Sequence, residues 1–198
     1  MKVIGITGGV GSGKSALLAY IKEKYNCRVL LADEAAHKVK EPGQPCYEKL
    51  TALLPENVRD EDGSINKSRM AAEIFSSKEL LMAVNAIILP AVKEYILSEI
   101  TAERERGDVS FFFLEAALLI ENGFLDIVDE MWYIYVAPEV RRQRLCSSRN
   151  YSEEKMDGIM SSQLSEEEFR KHCRVVIDNG GSLADTYEQI DKKLEGYL

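Results

Sequence analysis

Eight consecutive residues, Gly8-Gly9-Val10-Gly11-Ser12-Gly13-Lys14-Ser15, carry the pattern G-x-x-x-x-G-K-[ST] of a phosphate-binding loop. Each residue type has a job there. Glycines let consecutive main-chain N–H groups, those of Gly9, Val10, Gly11, Ser12 and Gly13, curl around a β-phosphate without Cβ collisions. A helix starting near Lys14 would add its positive end. The Lys14 ammonium would bridge β- and γ-phosphate oxygens, and the Ser15 hydroxyl would ligate Mg²⁺. The pattern therefore predicts ATP-type nucleotide binding. It leaves kinases, GTPases, motors and nucleotide switches open. Asn66-Lys67-Ser68-Arg69 lacks the Asp of a guanine-reading N-K-x-D motif, and Asp60-Glu61-Asp62-Gly63 fits D-x-x-G only as a short acidic match.

Other candidates lie downstream. Asp33 directly follows an apolar run, at the strand end where ligands of open parallel sheets sit. It would either accept the proton of an attacking substrate hydroxyl or cap a helix over 34–40. Glu115, after the run Ser110–Leu114, would hold Mg²⁺ through water or simply carry charge at a strand end. Arg141, Arg142, Arg144 and Arg149 crowd four guanidinium groups into nine positions. Arg144, and Arg149 in the loop after the helix, read as lid cations closing on the transferring phosphoryl group, whereas Arg141 and Arg142 read as a solvated helix face. Asn179, in Asp178-Asn179-Gly180-Gly181, would contact the adenine edge or serve an ordinary turn.

The elements that must position these residues are short. Val3–Ile6, Arg28–Ala32, Ser110–Leu114, Met131–Val136 and Arg174–Ile177 are apolar on both faces, as strands of a covered parallel sheet are. Helical segments are expected at 15–24, 34–40, several between 68 and 106, 138–147, 152–171 and 183–196, with 78–89 stopping at Pro90 and a second helix over 91–106. The fold class is α/β: a doubly wound, parallel, five-stranded P-loop sheet flanked by helices. Nearly 80 residues separate the second and third strands, too many for one crossover, and their first part, 41–66, is turn-rich. A helical insertion is expected there.

With 198 residues, 25 Lys and Arg against 33 Asp and Glu, and a net charge of −8, a general nucleic-acid or anionic-membrane partner is not expected. Phe111–Ile120, the most apolar stretch, is half the ~20 residues of a membrane span. The opening residues reach glycine at once, without a signal-like apolar region, and four scattered cysteines form no C-x-x-C pair. A cytoplasmic protein with reduced thiols is expected. Two histidines, His37 and His172, leave little for a His-based metal site.

The order of IGITGGVGSGKS, LADEAAHKV, EPGQP, LLIEN, RQRL with Arg149 after it, Gln163 and VIDNGG resembles the dephospho-coenzyme A kinase family over nearly the whole chain. The resemblance implies one P-loop kinase domain over 1–198, with a core at 1–40, 107–140 and 174–198, a helical substrate-binding insertion at 41–106 and a lid at 141–173. It implies ATP and Mg²⁺ as cofactors, dephospho-coenzyme A as the small-molecule partner, and Asp33 as the base that activates a ribose 3′-hydroxyl. Three positions depart from the family pattern: Leu31 where an Asp is usual, Leu89 in a His-Pro pair, and Ala117 where a Pro opens the P-L-L block.

Overall fold

A computed structural model describes residues 1–149 and 151–198, the side chain of Arg149 excepted. Five strands, β1 (Lys2–Thr7), β2 (Cys27–Leu31), β3 (Phe111–Glu115), β4 (Glu130–Tyr135) and β5 (Val175–Asp178), form one parallel sheet in the order β2-β3-β1-β4-β5. Each lies within a residue of its expected place. Phe111, Phe112, Phe113 and Leu114 are buried in succession, so both faces of β3 are covered, which is why these strands show no alternation.

The helices are α1 (Lys14–Lys24), α2 (Ala32–Lys38), α3 (Pro45–Leu53), α4 (Lys67–Ser76), α5 (Lys78–Arg106), α6 (Pro138–Arg149), α7 (Glu153–Ser161), α8 (Glu166–His172) and α9 (Leu183–Glu195). The chain separates into two compact units, residues 1–29 with 103–198, and residues 30–102. In the first, α1 buries Leu17, Leu18 and Ile21, and α9 buries Thr186, Ile190 and Leu194. Tyr20 stacks on Tyr187 with ring centroids 3.8 Å apart, while Asp191 accepts from the hydroxyls of Tyr20 and Tyr25. Ser182 and Asp185 form a reciprocal capping box that starts α9.

The second unit holds α2, α3, α4 and most of α5. In the stretch expected to be turns, Pro45 opens α3 at its first helical position, where the missing N–H costs nothing, and Cys46 and Leu50 fall on one buried face. Pro90 does not end a helix. It sits inside the 29 residues of α5, where Val84, Val92, Ile96 and Ile100 are buried at helical spacing on both sides of it. Burial of that stripe outweighs the one hydrogen bond the proline forfeits. By length and composition α5 would also pass as a membrane span, a longer apolar stretch than Phe111–Ile120.

The expected helix 152–171 is two. Ser152 caps α7 by accepting from the Lys155 N–H, and Ser165 restarts the chain as α8 by accepting from Glu168 N–H. Gln163, expected within a helix, lies in the turn between them. Arg149, expected in a loop, is the last residue of α6.

Candidate active site

In the sheet, β1 lies between β3 and β4, and the chain leaves β1 toward β2 but leaves β4 toward β5. Adjacent strands whose connections diverge open a crevice at their carboxyl ends, the usual ligand site of such sheets. The glycine loop begins there, directly after Thr7. Gly13 has φ +83° and any Cβ on it would stand 2.4 Å from Asn179 Nδ2, so both backbone angle and space demand glycine. At Gly8, with φ +149°, a Cβ would meet the Ile134 carbonyl oxygen at 2.7 Å.

Lys14 is the first residue of α1. Its Nζ donates to the Gly8 carbonyl at 2.8 Å and lies 3.6 Å from Glu115 Oε1, so the end of β3 and the loop lysine are neighbours. Ser15 follows and is exposed at the helix start. Ser12 is 1% exposed, and among the described residues its Oγ is a buried polar atom with no hydrogen-bond partner. Such a group costs about 1–3 kcal/mol until something accepts from it or donates to it.

The arginines of α6 divide differently from the expectation. Arg141 packs over Gly9, donates from Nε to the Val10 carbonyl at 3.0 Å and from Nη2 to Gln163 Oε1 at 2.6 Å. Gln163 Oε1 also accepts from Val10 N–H at 3.3 Å. Burial holds the Arg141 pKa below the ordinary guanidinium value, and its hydrogen-bond partners are neutral. Arg142 instead pairs with Asp157 of α7 at the surface, as a solvated helix face would. Arg144 Nη2 donates to the Asn179 carbonyl at 2.8 Å. The side chain of Arg149 lies outside the described residues. Arg141, expected on a solvated helix face, instead lies against the loop, on the helix face that it shares with Arg144 three residues on.

Asn179, 2% exposed, is turned inward. Its Nδ2 donates to the Ser12 carbonyl at 2.8 Å and its Oδ1 accepts from Thr186 Oγ1 at 3.0 Å. Both ends of the amide are thus committed to the protein, and the residue braces the phosphate loop where an adenine-edge contact was expected.

Asp33 belongs to the unit of residues 30–102 and is the second residue of α2, exposed in its first turn. Leu31 occupies the cap position and has no side-chain acceptor, so the cap alternative for Asp33 is overturned. Among the described residues no group of three or more His, Cys, Asp or Glu side chains is arranged to hold a metal.

A P-loop at the diverging crevice of a five-stranded parallel sheet, with cationic side chains from the helix after β4 facing it, defines a P-loop kinase. The dephospho-CoA kinase family model matches residues 2–185. A dephospho-CoA kinase of Carboxydothermus hydrogenoformans is 33% identical over 190 residues, covering 96% of this chain and 91% of the relative. A crystal structure from Thermus thermophilus superposes with a TM-score of 0.82 at 31% identity, covering 100% of this chain and 97% of the other. A dephospho-CoA kinase from Campylobacter jejuni shares the fold with a TM-score of 0.74 at 21% identity, covering 98% and 96%. The chain belongs to the dephospho-CoA kinase family.

Proposed function

We propose that this protein transfers the γ-phosphoryl group of ATP to the ribose 3′-hydroxyl of dephospho-coenzyme A, giving coenzyme A and ADP. The observation that carries the reading is the glycine loop at the carboxyl end of β1, in a chain whose family match runs from residue 2 to 185. Main-chain N–H groups of residues 9–13 receive the phosphates, and the orphaned Ser12 hydroxyl gains a phosphate oxygen as partner. Lys14 turns from the Gly8 carbonyl to the β- and γ-oxygens, where its charge meets that developing in the transition state.

Mg²⁺ suits a site of one hydroxyl and one carboxylate completed by phosphate oxygens: Ser15 and Glu115 would hold it, and it would neutralise phosphate charge. Asp33 accepts the proton of the attacking hydroxyl. Arg144 and Arg149 act as cations on the transferring group, with Arg141 joining them once nucleotide displaces it from Val10. Residues 141–173 serve as the lid and 41–106 as the acceptor-binding insertion, the remainder being core. We place the enzyme in the cytoplasm, where its four unpaired cysteines stay reduced. A coupled assay of ADP release with and without dephospho-coenzyme A tests the reading: release that depends on the acceptor supports it, and release indifferent to the acceptor contradicts it.

A further inference from the structure

Gln163 stands in the turn between α7 and α8, and both flanks of that turn are anchored. Phe169 of α8, 2% exposed, stacks on Tyr133 of β4 with ring centroids 4.6 Å apart, and Met156 of α7 is buried. The Gln163 N–H donates to the Met160 carbonyl at 3.4 Å, closing the end of α7. The backbone that carries this amide is therefore tied to the same sheet from which the phosphate loop springs, and a side chain so supported can hold a neighbour in a fixed place.

One oxygen of the amide serves two donors. Gln163 Oε1 accepts from Val10 N–H at 3.3 Å and from Arg141 Nη2 at 2.6 Å, while Arg141 Nε donates to the Val10 carbonyl at 3.0 Å. The three bonds close a ring of Val10, Gln163 and Arg141. The guanidinium lies on Gly9, where any Cβ would stand 2.2 Å from Nη2, so the missing side chain makes its room. Two of the five guanidinium donors are engaged in this way, both on neutral oxygens, and neither bond uses Nη1. A glutamate at 163 would reach as far, but it would cancel the arginine's charge and set a carboxylate beside the loop. A neutral amide orients the cation and leaves its charge for another anion.

We propose that Gln163 is a positioning residue for nucleotide binding: its amide oxygen holds Arg141 over the phosphate loop with the charge intact, so that the guanidinium meets the phosphates of the nucleotide. The inference rests on the nucleotide site of the kinase reading above and deepens it. When nucleotide takes Arg141 from the Val10 carbonyl, the short, charge-assisted bond to Gln163 is retained and the guanidinium pivots about it. The bond from Val10 N–H, at 3.3 Å, is the weaker of the two on Oε1, and a phosphate oxygen replaces it.

The test is a double-mutant cycle on the full chain with Gln163→Ala, Arg141→Ala and the pair. It is read as the affinity for a non-hydrolysable ATP analogue by calorimetry, and as KM for ATP and for dephospho-coenzyme A. Gln163→Ala should weaken nucleotide binding ~3- to 10-fold, the worth of one hydrogen bond, while KM for dephospho-coenzyme A stays within about twofold. With Arg141→Ala already present it should add nothing further, because Gln163 acts through Arg141. Gln163→Glu separates positioning from packing. Its contact to Arg141 gains an opposite charge, so thermal unfolding should be retained or raised, yet nucleotide affinity should fall at least ~10-fold as the carboxylate meets the phosphates. Unchanged affinity in Gln163→Glu, additive losses in the cycle, or tighter binding in Gln163→Ala, as for a stopper over the loop, overturns the inference and leaves the kinase reading intact. Failure of the unmodified protein to phosphorylate dephospho-coenzyme A overturns the kinase reading, while the analogue titration still decides on Gln163.

Discussion

The Asn179 amide joins the last strand to the phosphate loop: Nδ2 donates to the Ser12 carbonyl at 2.8 Å, in a position 2% exposed. A residue 167 positions away in the chain thereby fixes the loop's curvature before any nucleotide arrives. Asn179→Ala leaves the Ser12 carbonyl and Thr186 hydroxyl without this partner, at a cost of about 1–3 kcal/mol. Thermal unfolding should shift down by roughly 2–4 °C per kcal/mol, with ATP affinity falling in parallel. Weakened ATP binding at unchanged thermal stability would favour a direct adenine contact.

Gly13→Ala tests the loop's shape. At φ +83° and with a Cβ 2.4 Å from Asn179 Nδ2, the methyl group forces the loop or the asparagine to move. Left-handed backbone costs a non-glycine residue about 1–2 kcal/mol, and the displaced N–H groups should cost much of the nucleotide affinity. Calorimetric titration with an ATP analogue would measure it.

Arg141→Ala and Arg142→Ala should separate sharply although the residues are adjacent. Arg142 and Asp157 form an exposed pair, worth about 0–1 kcal/mol, so its removal should leave turnover near normal. Arg141 spans Val10 and Gln163 over the loop, and its loss should raise KM for ATP at least ~10-fold. Equal effects of the two substitutions would return Arg141 to the surface.

Cysteine chemistry offers a check on packing. Cys146 is exposed, while burial pushes the Cys173 thiol up to about 12. The folded pKa is raised, so its contribution to stability is full below the unfolded thiol value near ~8.5 and is lost as pH rises toward 12. At pH 8 an alkylating reagent followed by mass spectrometry should label Cys146 at once and Cys173 only after denaturation.

The strands and the phosphate loop were legible in the sequence because their signals are local: apolar runs covered on both faces, and a motif whose atoms act together within eight residues. Pro90 carries a local helix-breaking signal, whereas the buried stripe of Val84, Val92, Ile96 and Ile100 that overrides it exists only in the folded chain. Gln163 and Arg141 meet across 22 positions, a contact that periodicity cannot reveal. The position of Asn179 after β5 points to the phosphate loop, yet its orientation depends on Thr186 and Ser12, which only the folded chain brings to it.

Incubation with Mg-ATP and dephospho-coenzyme A, followed by mass and phosphorus NMR analysis of the product, tests the central claim most directly. The account predicts one added phosphoryl group on the ribose 3′-oxygen, with Lys14→Ala slowing its formation ~10²–10³-fold or more while the unfolding transition is retained. Phosphate on another atom, or an unmodified acceptor beside hydrolysed ATP, would contradict it.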